Sequence, residues 1–182
     1  MALTPTQSSL EALCRKLERE LYRAFHQRNR IHKADHFFNF CVTAHSLRDY
    51  YLERIGKTKR SDRQPFDQQW SREPLLVAVA DIANSAKHFT LRDRRTHAPR
   101  TPATKRVGLK TSQFVDLYVN ADGETQAVRV RAPDVSVTVA GGATYDLYTF
   151  MTGVLQYWRT FLSNNGIRVR RQSIGSLLGS VT

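Results

Sequence analysis

Few of the residue patterns that mark familiar chemistries occur in this chain of 182 residues. Its two cysteines, Cys14 and Cys41, are too few for a disulfide framework. Both fall among apolar neighbours at helical spacing, which points to a reducing compartment, with the cytoplasm as the default. No window approaches the roughly 18 apolar residues of a membrane span, and MALTPTQSSLEAL lacks the basic-then-apolar order of a secretory signal. There is no phosphate-binding glycine loop, GxGxxG, GxSxG or paired CxxC, so nucleotide hydrolysis, dinucleotide binding and serine-hydrolase chemistry have no support. His32 and His36, with Asp35 between them, find no third ligand at metal spacing, so neither a metal nor a cofactor is expected. Acidic residues are also scarce: 16 stand against 28 Lys plus Arg, a formal charge of +12, which predicts a polyanionic partner.

The excess charge is local. Residues 91–112 carry Arg92, Arg94, Arg95, Arg100, Lys105, Arg106 and Lys110 against Asp93 alone, and the C-terminal stretch adds Arg168, Arg170 and Arg171 unopposed. A segment with Pro99, Pro102 and no apolar period cannot pack a core, whereas guanidinium groups can follow a phosphate backbone. The competing reading of such a run is a solvated loop.

Apolar periodicity predicts a helix from Thr6 to about Arg30 on the stripe Leu10, Leu13, Cys14, Leu17, Leu21 and Phe25. A second runs from about Ala34 to Ile55, closed by Gly56, and 57–65 reads as a linker. A third opens at Pro74 and continues to about Phe89. The period then changes to two. Residues 114–120, the turn 121–124, Ala127 to Val130 and Val135 to Val139 read as a three-stranded meander ended by Gly141 and Gly142. A last helix spans about Ala143 to Leu162. The expected fold is α+β, mainly α: a four-helix bundle with a three-stranded antiparallel β-meander inserted at about 106–140, before the last helix. One domain covers 1–166, and 167–182 form a basic, loosely ordered tail. The meander is expected outside the bundle as an appendage that packs on it or pairs with another chain.

On the third helix Asp81, Asn84 and His88 share a face, with Lys87 beside them, and on the second His45, Arg48 and Asp49 do the same. Two readings stand. Such a cluster can orient an imidazole and steady a phosphate, or it can join two helices by a buried hydrogen-bond network.

The segment DIANSAKHF (81–89), preceded by AHSLRDYYLERI (44–55), resembles the HEPN superfamily of helical-bundle proteins. The resemblance implies a compact, often dimeric α-bundle, and for many members a metal-independent ribonuclease acting as a toxin or defence effector. The family motif is an arginine, a polar residue, three further residues and a histidine. Asn84 and His88 match the polar and histidine positions, and Ala83 stands where the arginine would be. The run Arg92 to His97 spells the pattern in full. Three expectations follow. The first is a nucleic-acid-binding protein, RNA favoured over DNA, of a prokaryotic defence, toxin-antitoxin or mobile-element system. The second is a ribonuclease using His88 or His97, with Arg48, Lys87 or Arg92 at the phosphate. The third is a protein-interaction module, or a homodimer, formed through the β insert, and none of the three calls for a membrane.

Overall fold

A computed structural model describes residues 9–85 and 101–170. Among them are five helices and a three-stranded antiparallel sheet: α1 (Leu10–His26), α2 (Arg30–Arg54), α3 (Arg60–Ser71), α4 (Pro74–Ser85), β1 (Arg106–Val119), β2 (Thr125–Thr138), β3 (Thr144–Asp146) and α5 (Leu147–Asn164). The fold is α+β and mainly helical. The expected end of the third helix, 86–89, lies outside the described residues.

Local chemistry sets the helix starts. Ser9 Oγ accepts from Ala12 N (3.1 Å), Asn29 Oδ1 from Ile31 N (2.9 Å), and Asp146 Oδ1 from Thr149 N (2.7 Å), each satisfying a main-chain donor left open by the first helical turn. The core is built from the stripes of α1, α2, α4 and α5, including Leu13, Leu17, Phe40, Leu47, Val79, Phe150 and Val154. Gly153 brings α5 close to α4, since a Cβ there would lie 2.8 Å from Leu75 Cδ1. Two ion pairs cross between these helices, Arg159–Glu18 (2.6 Å) and Arg54–Glu11 (2.8 Å), and His36 Nδ1 of α2 lies 2.9 Å from Glu20 Oε2 of α1.

The expected linker at 57–65 is largely helix. From Arg60 the chain forms α3, whose apolar side is little more than Phe66 and Trp70 one turn apart, too sparse to show a period. α3 is held by charge and aromatic contact. Arg48 of α2 donates to Asp67 (2.5 Å) and lies 4.9 Å above the Trp70 ring, and Arg63 donates to Asp49. Trp70 packs on Trp158, and Tyr51 on Phe161, with centroids 5.8 and 4.9 Å apart, so α2, α3 and the end of α5 meet in one aromatic cluster.

The strands also depart from expectation. β1 begins at Arg106, not near 114, so Arg106 and Lys110 are strand residues and not loop residues. β2 is continuous where two strands were expected, and the third strand follows the Gly141–Gly142 turn, so α5 starts at Leu147 and not at 143. Asn120 N bonds Glu124 O and Val139 N bonds Ala143 O. Even-numbered positions of β1 and β2 therefore bond each other, and odd positions of β2 turn their main chain toward β3. Pro133 is an odd position beyond the three residues that β3 covers, so its missing N–H interrupts no ladder bond.

The sheet is only partly an appendage. Val135, Val137 and Val139 of the β2 end are fully buried against the helices. Further out the opposite face leans on the helical body: Phe114 meets Phe25 edge-on at 6.3 Å, and Arg28 donates to Asp116 at 2.5 Å. The hairpin tip is a three-residue loop, Ala121 to Gly123, closed by Gly123 at φ 81° and by Asn120 Oδ1 accepting from Asp122 N and Glu124 N.

Candidate nucleic-acid interface

The basic segment 91–112 enters the described structure at Thr101, and its last part is pinned. Asp81 of α4, buried, accepts from Thr104 N (2.9 Å) and Thr104 Oγ1 (3.2 Å). Lys105 N then bonds Thr138 O, starting the ladder of β1. Both flanks of residues 86–100 therefore sit where α4 ends and the sheet begins.

Lys105 and Arg106 are exposed there, and neither meets a carboxylate among the described residues. Lys110 differs, because its Nζ lies 3.6 Å from Asp134 Oδ2. Asp134 is buried at the junction of the sheet and α5, where it also accepts from Ser112 Oγ, Val135 N and Leu147 N, so its charge is shared among three strand and helix groups. Arg129 and Arg131 of β2, absent from the sequence-based candidates, are exposed on the open face of the hairpin opposite Val115 and Gln113. Their signal is the alternation of β2, which sends both to one face. Arg106, seven residues from Gln113 along the same strand, projects from the opposite face of the sheet, so Arg129 and Arg131 form a basic pair separate from Lys110 and Arg106. Buried beneath this end, Lys33 donates to Phe25 O (3.0 Å) at the C-terminus of α1. Burial pushes its pKa down, and Asp134 opposes that shift.

The remaining candidates divide. Arg168 and Arg170 are exposed and alternate with Ile167 and Val169, which pack on the core, but they follow the far end of α5, about 27 Å of helix from the sheet. Arg48 faces α3 through Asp67 and Trp70, while Asp81 faces Thr104, so the polar residues of α2 and α4 are each engaged by a third element. Asn84 is half-buried near the end of α4. Lys87, His88, Arg92, Arg94, Arg95, His97, Arg100 and Arg171 lie outside the described residues.

Among the described residues no group of three or more His, Cys, Asp or Glu is placed to hold a metal ion, and no helix is long and apolar enough to cross a membrane. No protein-family model, curated protein or solved structure is similar to this chain.

Proposed function

We propose that this is a HEPN-like helical-bundle protein that binds nucleic acid, RNA in preference to DNA, along the sheet end of the molecule. The observation that carries the reading is the anchoring of the arginine-rich segment at Thr104, beside exposed cations at Lys105 and Arg106 that have no carboxylate partner among the described residues. Arginines held by Asp or Glu offer little to a phosphate. Free ones release counterions when they bind, which makes affinity fall with salt. Titration of a fluorescent single-stranded RNA at several salt concentrations tests the reading. Affinity is expected to fall linearly in log–log form, with a slope shallower by about 1.4 in Lys105→Ala/Arg106→Ala at roughly 0.7 per phosphate contact on a single strand. Absence of binding near physiological ionic strength overturns it.

One observation favours a second reading. The Asp81–Thr104 bonds hold Thr104 against the helix carrying Asn84, and Arg92 and His97 lie between the two in sequence. A metal-independent ribonuclease with His88 or His97 as the base is consistent with that tie. Cleavage that survives EDTA and is lost in His88→Ala or His97→Ala supports it, and no cleavage, or cleavage abolished by EDTA, rejects it.

A further inference from the structure

β1 is an edge strand along all 14 residues, and among the described residues no strand pairs with its outer side. Because its even positions bond β2, its odd positions, 107 through 119, point N–H and C=O outward. The side chains at those positions are unusually apolar for a free edge. Val115, Leu117 and Val119 are 59%, 68% and 69% exposed. The other large exposed apolar residues, Ile31, Val107, Tyr118 and Tyr148, lie on the same strand or in the first turns of α2 and α5, at this end of the molecule. The free edge of β2 is different. It carries Arg129, Arg131 and Pro133, residues that discourage strand addition.

We infer that β1 pairs antiparallel with β1 of a second copy of this chain across a two-fold axis at Gln113, joining the two sheets into one of six strands. The register follows from complementarity. With Gln113 opposite Gln113 of the second copy, Leu117 stands across from Leu109, Val119 from Val107 and Val115 from Thr111, all outward-bonding positions. On the other face Asp116 comes opposite Lys110, and Tyr118 opposite Gly108, where no side chain obstructs the ring. Each of those charges already has a partner in its own chain, Arg28 for Asp116 and Asp134 for Lys110. The pairing thus extends two ion pairs into an alternating chain of four charges. A slip of two residues, the smallest that keeps the faces matched, puts Gly108 or Ser112 opposite Asp116 and leaves Lys110 facing an aromatic ring.

Sedimentation of the nuclease-treated 182-residue chain is the test. The expected mass is twice 20.9 kDa. Val115→Pro removes an outward N–H and leaves the ladder to β2 intact, so it should weaken self-association by at least tenfold while circular dichroism stays unchanged. Independently of that variant's folding, Gln113→Cys should cross-link to its own copy under mild oxidation. Val119→Cys should not, because the two 119 positions lie about 40 Å apart along the paired strands. The native thiols do not interfere, as both are buried and burial pushes them up, Cys14 to about 12. A monomer at all concentrations overturns the proposal. So does a dimer formed only with RNA, a dimer that persists in folded Val115→Pro, or equal cross-linking by the two cysteine variants.

Discussion

The two ends of α5 solve the same burial problem differently. At its C-terminal end Tyr51, Phe66, Trp70, Trp158 and Phe161 pack ring against ring, and Arg48 covers Trp70 from outside. At its N-terminal end buried valines root the sheet in the core, yet the strands run on past the helices and carry apolar side chains into solvent. The first end is closed within one chain. The second has a finished root and an unfinished edge, which separates residues that stabilise the fold from residues available to a partner.

Substitutions can widen or erase that contrast. The largest effect is expected for Trp158→Ala, which empties the centre of the aromatic end and should cost about 3–5 kcal/mol in urea unfolding. Val137→Ala, fully buried at the root of the sheet, should cost roughly 2 kcal/mol. Leu117→Thr, two-thirds exposed on the same hairpin, should stay within about 0.5 kcal/mol, measured below the concentration at which the chain self-associates. A cost for Leu117→Thr equal to that for Val137→Ala would erase the distinction between root and edge.

The finest probe is pH. At the sheet end, burial pushes the pKa of His26 below its usual 6.5, helped by Arg28 and Lys33 and opposed by Asp116. The unfolded chain takes up that proton first, so stability falls as pH drops through 6.5 and levels once the folded form is also protonated. At the other end, Glu11 is held below 4.5, first by a backbone hydrogen bond and then by Ser9 and Arg54, against burial. Its contribution is complete above 4.5 and is lost as pH falls further. Unfolding free energies of His26→Gln and Glu11→Gln, followed from pH 8 to 3, should depart from wild type in those two separate windows.

How much of this was legible in the sequence depends on what holds each element. α1, α2, α4 and α5 bury continuous stripes, and their period of 3.6 is visible directly. α3 is held by Arg48–Asp67, Arg63–Asp49 and two aromatic residues, so its polar composition reads as a linker until α2 is placed beside it. Gly108 and Lys110 break the apolar alternation at the start of β1, and β2 reads as two strands, one ending at Val130 and one resuming at Val135, because the edge that tolerates Pro133 between them is a property of the assembled sheet. Of the candidate interface, Lys105 and Arg106 were legible from charge alone. Arg129 and Arg131 share a face by alternation alone, but that this face is the open one beside Gln113 and Val115 follows from a register that no local window contains.

Pro133 carries one more consequence. Among the described residues the long open margin is that of β1, while the other margin carries Pro133 and only three residues of β3, so an identical chain added at β1 would occupy the long open strand of both. Growth then stops at two, so a long uncovered strand does not commit this protein to endless fibres.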